Sequence, residues 1–351
     1  MTALVAPPDA TAVDVVVRNR VRRSSRRRLV VLVLAVLVVA AFAATLMIGR
    51  TFYPPGDVLR VIAGERVPGA SFTVGRLRLP RGVLAVVAGL SFGLAGVTFQ
   101  TMLRNPLASP DVIGISSGAS AAAVFGIVIL SLSGTAVSTV AVAAALGVAL
   151  LIYTLAFKDG VAGTRLILVG IGVGAMLNSV VSYVLSRAGQ WDYQEALRWL
   201  TGSLNGTSWT TVVPALVALV VLSPVLLGQA KNLSALQLGD DTAAALGVRV
   251  ERTRLIAIVT AVGLVAFATA ACGPIAFVSF LAGPIAARIV GPNGSLLVPA
   301  ALVGALLVLV ADLVGQFALD TRFPVGVITG VLGAPYLIYL IVRTNRAGGS
   351  L

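Results

Sequence analysis

Histidine is absent from this 351-residue chain, and cysteine occurs once, at Cys272. One cysteine allows no disulfide within the chain and no thiolate metal site. Without histidine the chain also lacks the commonest metal ligand and proton-transferring side chain. We therefore expect no cofactor and no metal site built by this chain. A metal that it transports must already be enclosed in a chelate.

Charged residues are also scarce, at 11% of the chain, whereas hydrophobic residues make up 58%. This composition predicts an all-α integral membrane protein rather than a set of soluble domains. The formal net charge is +13, and lysine occurs only at Lys158 and Lys231. Because the arginines lie at the ends of apolar runs, we assign them to membrane lipid and protein partners and expect no nucleic acid.

The apolar runs predict ten membrane-spanning helices, since about 20 apolar residues cross a ~30 Å hydrocarbon core. The predicted spans are 29–49, 82–103, 112–130, 137–157, 166–186, 209–228, 255–271, 273–290, 296–318 and 324–342. Residues 1–28 form a predicted basic cytoplasmic tail, 29–342 the transmembrane domain and 343–351 a second cytoplasmic tail. A signal peptide is the alternative for the N-terminus, but its apolar run of ~20 residues exceeds the usual 7–15.

Residues 75–123 contain the most informative stretch. Three arginines, Arg76, Arg78 and Arg81, surround Pro80 and precede an apolar run that ends at Leu103. The polar turn RNPLASP (104–110) follows, and its two prolines cannot continue a helix. The next run is rich in glycine, serine and alanine, which allow close approach of neighbouring helices.

Several separated motifs in this order resemble one family. They are RLPR, Gln100 followed by RNPLASPDVIGISSGAS, GPIAFVSFLAGPIAARIVG (273–291), ADLVGQ (311–316) and FPVGVITGVLGAPYLIYLI (323–341). Together they resemble the FecCD permeases, the membrane subunits of iron-siderophore, haem and vitamin B12 ABC importers. The resemblance extends from about Arg50 to Arg343.

This resemblance implies a type II ABC importer permease fold in the plasma membrane of a bacterium. The even number of predicted spans and the basic N-terminal end predict that both termini are cytoplasmic. It implies cytoplasmic ATP-binding subunits, an extracytoplasmic substrate-binding protein and a second permease subunit, identical or different, as partners. The implied substrate is a ferric siderophore, with haem or vitamin B12 as alternatives. Many members have Pro-His before the final arginine of GPIAAR, which ends here at Arg288; the His-less form favours a siderophore over vitamin B12.

The family resemblance also implies a docking surface for the binding protein. It assigns this role to Arg78 and Arg81, to which we add Arg76. Where the family commonly has an arginine closing the ADxxxR element, this chain has Gln316, and Arg322 is our candidate replacement. The alternative is that these arginines bind lipid phosphates.

The polar stretch 229–254 contains a short predicted helix with acidic residues at its start and glycine at its end. The resemblance identifies it as the helix that couples to the ATPase, and an ordinary surface loop is the alternative. The coupling residues are Leu238, Gly239, Asp240, Asp241, Ala244, Leu246 and Gly247. The chain contains no GxxxxGK[ST] motif, so we expect no ATPase activity from it and a separate ATP-hydrolysing subunit.

Asp312 is the ionisable residue placed deepest within a predicted span. Such a carboxylate suggests function by default, but a proton-driven carrier needs a relay of several groups, so we predict a structural role. Asn178 and Ser182 in the fifth span are candidates for the translocation path or for helix–helix contacts. An ion-coupled secondary transporter and a membrane enzyme are the rival functions.

Overall fold

The computed structural model describes residues 10–111, 114–156, 163–291, 294–318 and 320–346, and every regular element in these ranges is helical. The first half contains α1 (Ala10–Met47), α2 (Pro55–Ile62), α3 (Ala70–Phe72), a π-helical turn (Thr73–Arg78), α4 (Leu79–Leu103), α5 (Ile115–Val128), α6 (Thr135–Ala156), α7 (Gly163–Ser186) and α8 (Gln190–Leu200). The second half contains α9 (Trp209–Gly228), α10 (Ala230–Leu236), α11 (Asp240–Ala245), α12 (Val250–Cys272), α13 (Val278–Val290), α14 (Leu297–Phe317) and α15 (Val325–Arg346).

The prediction of about ten spans is confirmed. Seven helices are long and apolar enough to cross a membrane: α1, α4 with the turn before it, α6, α7, α9, α12 and α14. Three shorter apolar helices, α5, α13 and α15, account for the remaining predicted spans. The long polar stretches between spans contain the short helices α2, α8, α10 and α11.

Helix α1 begins at Ala10, much earlier than the predicted start of the first span at Leu29. Neither proline nor glycine occurs between Ala10 and Met47, so nothing in the sequence interrupts the helix. The basic segment that we predicted as a tail is therefore helical from Ala10 onward. The Arg27 guanidinium donates a hydrogen bond to the Ser295 carbonyl oxygen, between α13 and α14.

Helix α4 is the centre of the bundle and packs against α9, α12, α13 and α14. It begins with Pro80 in its first turn, where a missing N–H breaks no helical hydrogen bond. Small residues bring α4 and α14 into backbone contact. A Cβ atom added at Gly89 would lie 2.5 Å from the Cα atom of Ala305, and one at Gly93 would overlap the Ala300 carbonyl group. These glycines are therefore required by packing.

Helices α5 and α13 are too short to cross the membrane alone. They have 14 and 13 residues, or ~20 Å each, against a ~30 Å hydrocarbon core. Each follows a non-helical segment, 104–111 before α5 and 273–277 before α13. The predicted break at Cys272–Pro274 is confirmed: α12 ends at Cys272, and the Ser203 amide binds the Cys272 carbonyl oxygen at 2.7 Å.

The bundle has two ends, which we name after residues at the two ends of α4. At the Arg81 end, Arg81 and the loop before α9 meet the last turns of α14. At the Arg104 end, Arg104 meets Asp240 at the start of α11, and Asp240 also bonds to Arg254 near the start of α12. With 25 residues, α4 separates the two ends by ~38 Å.

Candidate functional site

A cavity of about 880 Å³ lies where the two non-helical segments meet. Its walls come from these segments and from α5, α7, α8, α13 and α15. The lining residues are Leu107, Ser109, Asp111, Ser116, Ser117, Ser120, Asn178, Val181, Ser182, Leu200, Pro274, Ile275, Ala276, Phe277, Phe280 and Leu337. Non-helical backbone is tolerated within the membrane where it is covered by protein or lines a cavity. Both non-helical segments line this cavity.

Two candidates for the translocation path lie on the cavity wall. Asn178 and Ser182 are one turn apart on α7, and both line the cavity. The Ser182 hydroxyl donates to the Asn178 carbonyl oxygen at 3.0 Å, so the hydroxyl oxygen remains available as an acceptor. Their placement on the cavity wall is compatible with a role in the translocation path. Serines of α5 also line the cavity, although the sequence analysis assigned them to helix packing.

Asp111 joins the two short helices at this cavity. Its carboxylate accepts a hydrogen bond from the Ser116 hydroxyl at 2.5 Å and another from the Ser279 hydroxyl at 2.5 Å. Ser116 is the second residue of α5, and Ser279 is the second residue of α13. One carboxylate therefore lies at the N-terminal ends of two helices, where the helix dipole favours negative charge.

The Arg81 end contains a buried ion pair. The Arg81 guanidinium binds both Asp312 carboxylate oxygens, at 2.9 and 2.7 Å, and donates to the Asn205 side-chain oxygen at 2.6 Å. The Gln316 amide donates to Asp312 at 2.7 Å. The exposed fraction of the side chain is 17% for Arg81 and 1% for Asp312. Arg81, predicted for docking, and Asp312, predicted as structural, thus form one network that ties α4 to α14.

Arg78 also makes bonds within the chain. Its guanidinium donates to the carbonyl oxygens of Leu46 and Met47 at 2.9 Å each and of Thr51 at 2.7 Å. The guanidinium carbon lies 5.0 Å from the centre of the Tyr53 ring. Arg78 therefore fastens the end of α1 to the start of α4, with its side chain only partly exposed.

The other arginines at this end differ in their exposure and in whether they pair with a residue of the same chain. Arg60 pairs with Glu65 at 2.7 Å, and this hydrogen bond raises the pKa of the Arg60 guanidinium. Arg76 is exposed on the π-helical turn, and Arg322 is exposed between α14 and α15. Of the four predicted docking residues, Arg76 and Arg322 present exposed side chains, whereas Arg78 and Arg81 are bound within the bundle.

The Arg104 end has its own charge cluster. The Asp240 carboxylate accepts from the guanidinium of Arg104 at 2.7 Å and from that of Arg254 at 2.7 and 2.8 Å. Arg104 ends α4 in the left-handed conformation, with φ of 52°. Asp240 begins α11 and thereby connects the turn that leads to the cavity with the start of α12.

The predicted coupling helix forms as α11, from Asp240 to Ala245. It is framed by Gly239 and Gly247, which have φ values of 110° and 84° that favour glycine. Ala243 is buried against the protein, whereas Asp241 and Ala244 are exposed. Leu238 and Leu246, which flank the helix, are 63% and 64% exposed. Two exposed leucines beside a short helix form an apolar surface suited to contact with another protein.

Comparison with known proteins identifies the family. Residues 35–343 match the model of the FecCD transport family. The chain belongs to the FecCD transport family. Members of this family are transport permeases rather than enzymes, and the chain is accordingly a multi-pass membrane permease.

The relatives agree with this assignment. The chain is 38% identical over 304 residues, 86% of its length and 92% of the relative's, to the ferric enterobactin transport system permease FepG of Escherichia coli. It is 37% identical over 274 residues, 78% of its length and 74% of the relative's, to the cobalamin import system permease BtuC of Halobacterium salinarum.

A solved structure shares the fold. It is an inward-facing conformation of a metal-chelate type ABC transporter, with a TM-score of 0.80 and 28% identity, covering 89% of this chain and 98% of that one. The predicted all-α permease fold of an ABC importer is thereby confirmed.

Sequence reasoning missed two features of the FecCD chain. It assigned no role to Asp111, and it gave Arg104 and Arg254 no partner. The position of Asp111 directly after Pro110, with serine at 116 and again at 279 in the second half of the chain, was the available signal. Nothing in the sequence indicated the ion pair between Arg104 and Asp240, because the two residues are 136 positions apart.

Proposed function

We propose that this chain is the permease subunit of a binding-protein-dependent ABC importer that carries a ferric siderophore across the plasma membrane of a bacterium. The observation that carries the proposal is the family match over residues 35–343, together with relatives named for ferric siderophore transport. The cavity between the two ends supports it, since about 880 Å³ lies within the ~300–1,000 Å³ of ligand pockets.

The energy for transport comes, in this proposal, from ATP hydrolysed by separate cytoplasmic subunits. They contact the segment 238–247, whose leucines are exposed and whose first helical residue, Asp240, is bound to Arg104. A second permease subunit, identical or different, completes the pore. The Arg104 end is then cytoplasmic, which agrees with the arginine-rich start of α1 and its contact to Ser295 at that end.

The binding protein docks, in this proposal, at the Arg81 end. Exposed arginines there, including Arg76 and Arg322, favour a partner with acidic groups. The internal bonds of Arg78 and Arg81 support a different role for these two, which is to hold the docking end in shape.

Vitamin B12 or haem transport is the second candidate, favoured by the likeness to the cobalamin permease BtuC. A proton-coupled carrier is disfavoured by the surroundings of Asp312, the carboxylate buried between α4 and α14. Asp312 is paired with Arg81, so it is not an isolated proton-binding group.

The test is uptake into proteoliposomes that contain the complete importer and its binding protein, with ATP and the proton gradient varied independently. We expect uptake of a ferric chelate that requires ATP inside the cytoplasmic compartment and continues when the gradient is removed. Uptake that follows the gradient and ignores ATP would overturn the proposal. Equal uptake of cobalamin with no uptake of ferric chelates would favour the second candidate.

A further inference from the structure

A groove formed by two adjoining cavities lies at the Arg81 end of the bundle. The first cavity, of about 410 Å³, lies between α6, α9 and α12 and has mostly apolar walls. The second, of about 320 Å³, is more polar and lies between α8, the loop 201–208 and the end of α12. The two cavities share four lining residues and so form one groove: Ser138, Thr211, Ala270 and Ala271.

The apolar part of the groove opens onto the lipid-facing surface of the bundle. Helices α6 and α9 flank it, and their side chains there are exposed, Leu146 to 41% and Val213 to 48%. Phe267 of α12 lies on its wall. The α6 wall runs from Ser138 to Leu146, a distance of ~12 Å, which is close to the ~15 Å depth of one leaflet. A groove that opens into hydrocarbon takes its occupant from the bilayer.

The polar part of the groove contains two charges of opposite sign. Glu195 and Arg198 lie one turn apart on α8, and both line the cavity. Within the ranges that the structure describes, neither side chain forms an ion pair with the other or with a third residue. A carboxylate and a guanidinium are therefore both available in one cavity to a ligand that carries both charges.

Two tryptophans indicate the depth of the polar part in the membrane. Trp199 lines this cavity, and Trp209 is the first residue of α9, next to two threonines of the groove wall. Tryptophan side chains are enriched at the level of the lipid headgroups. The polar cavity therefore lies where headgroups lie, and the apolar cavity continues from it towards the acyl chains.

We propose that this groove binds one phospholipid with an ethanolamine headgroup, from the leaflet at the Arg81 end. Arg198 binds the phosphate, which the fork of a guanidinium matches, and Glu195 accepts a hydrogen bond from the ammonium group. One acyl chain lies between α6 and α9, against Phe267. The lipid then lies beside Gly273, where the segment that leads to the candidate-site cavity begins. This inference goes beyond the proposed transport function and does not depend on it.

The test is native mass spectrometry of the full-length chain, purified in detergent and freed of native lipid. Dioleoyl phosphatidylethanolamine, phosphatidylcholine and phosphatidylglycerol are each titrated, and the affinity of the first bound lipid is measured. The choline headgroup has no N–H to donate, and the glycerol headgroup has no cation. We expect the ethanolamine lipid to bind about tenfold more tightly than either of the others, the effect of one charge-assisted hydrogen bond.

Variants of the polar cavity separate the two headgroup contacts. Arg198→Ala should weaken binding of all three lipids by about tenfold, since each carries the phosphate. Glu195→Gln should remove the preference for the ethanolamine lipid and leave phosphatidylcholine binding unchanged. Arg187→Ala is the matched control, because Arg187 is also exposed near the start of α8 but lines neither cavity. It should keep the wild-type affinities.

A variant of the apolar cavity tests the acyl chain separately. Ala143 lines this cavity and is exposed, so Ala143→Trp fills the groove without disturbing the core. It should weaken binding of all three lipids and keep their order. Leu150→Trp is the control, since Leu150 is exposed on the same helix, outside the groove. Its affinities should match those of the wild type.

Three outcomes would overturn the proposal. Equal affinities of the three lipids for the wild type, or equal losses in Arg198→Ala and Arg187→Ala, would indicate general contact with surrounding lipid only. Unchanged binding in Ala143→Trp would show that no acyl chain enters the groove. Unchanged lipid binding in Arg198→Ala and Glu195→Gln, with weaker attachment of the substrate-binding protein, would assign the polar cavity to protein docking.

Discussion

At the scale of single residues, the Arg81–Asp312 pair shows how a polar group is accommodated inside the bundle. Asp312 is almost fully buried, and Arg81 and Gln316 both donate hydrogen bonds to its carboxylate. Removing one member of a buried pair is far more costly than removing both, because a charge is left without a partner. The packing of α4 against α14 therefore depends on a contact between two residues that are 231 positions apart in the sequence.

We expect Arg81→Met to lower the stability of the purified chain by about 3–5 kcal/mol. The double variant Arg81→Met with Asp312→Leu should recover at least part of this loss, since no buried charge then remains. The control is Arg60→Met, which breaks an exposed pair with Glu65 and should leave stability almost unchanged. Thermal unfolding in detergent measures all three. Equal effects of Arg81→Met and Arg60→Met would contradict the buried-pair interpretation.

At the scale of helices, close contact between α4 and α14 holds the centre of the fold. Glycine is intrinsically a poor helix former, so alanine in its place normally stabilises an exposed helix by up to about 1 kcal/mol. At Gly89 the neighbouring backbone reverses this expectation, because an added Cβ atom would lie 2.5 Å from the Ala305 Cα atom and the Gly304 carbonyl oxygen. Helix propensity therefore predicts that Gly89→Ala stabilises the protein, whereas packing predicts that it destabilises the protein.

We expect Gly89→Ala to destabilise the chain by about 1–3 kcal/mol, the usual cost of overpacking. Gly147→Ala is the matched control, since it lies within α6 and an added Cβ atom there meets nothing within 4 Å. The control should be neutral or slightly stabilising. Thermal unfolding of both variants under identical detergent conditions gives the comparison, and a stabilised Gly89→Ala variant would show that the helices can separate without cost.

The sequence was sufficient to predict the apolar spans and, apart from the early start of α1 at Ala10, their approximate ends. Apolar length predicted ten spans, and Cys272-Gly273-Pro274 predicted the break before α13, because length and breaker residues act locally. It did not predict the faces of these helices. A helix that is apolar all round has no polar side to indicate its orientation, so the serines of α5 were assigned to packing although Ser116, Ser117 and Ser120 line the cavity.

The candidate site was predictable only in part, for the same reason. Asn178 and Ser182 were identified as polar residues in an apolar span, which is a local signal. The pairing of Arg81 with Asp312 depends on contacts between distant segments, so the two residues received separate roles. Asp111 could be noticed in the sequence, but its hydrogen bonds to Ser116 and Ser279 could not be predicted. They form because the first turns of α5 and α13 lie next to each other in the fold.

At the scale of the whole molecule, the two ends of the bundle have different charge arrangements. At the Arg104 end, Asp240 is held by two arginines, and the exposed side of α11 is small and flanked by leucines. A helix of six residues has little stability of its own and depends on its contacts. Asp240 bonds α11 to Arg104, which precedes the turn beside the cavity, so we propose that a partner that contacts α11 acts through this link.

We expect Ala244→Pro to weaken attachment of the ATPase subunits, because proline within a helix costs about 3 kcal/mol. Ala244→Ser is the control, since it keeps the backbone intact at the same exposed position. Co-purification of the ATPase with each variant, and ATP-dependent uptake by it, are the measurements. Normal co-purification and uptake for Ala244→Pro would place the coupling surface elsewhere.

At the opposite end, the exposed arginines predict docking that depends on salt. We expect Arg76→Glu combined with Arg322→Glu to weaken binding of the substrate-binding protein at low salt by about tenfold, since each exposed pair contributes only ~0.2–1 kcal/mol and reversal adds repulsion. Because Arg78 and Arg81 are bound within the bundle, their reversal should lower stability as well as binding, which makes them poor probes of docking.

The control is Lys231→Glu with Arg249→Glu, which makes the same change in net charge at the Arg104 end. Affinity is measured on the purified complex over a range of ionic strength, where attraction between exposed charges weakens as screening increases. Equal losses in both double variants would indicate a general effect of net charge, and no loss at low salt would remove Arg76 and Arg322 from the docking surface.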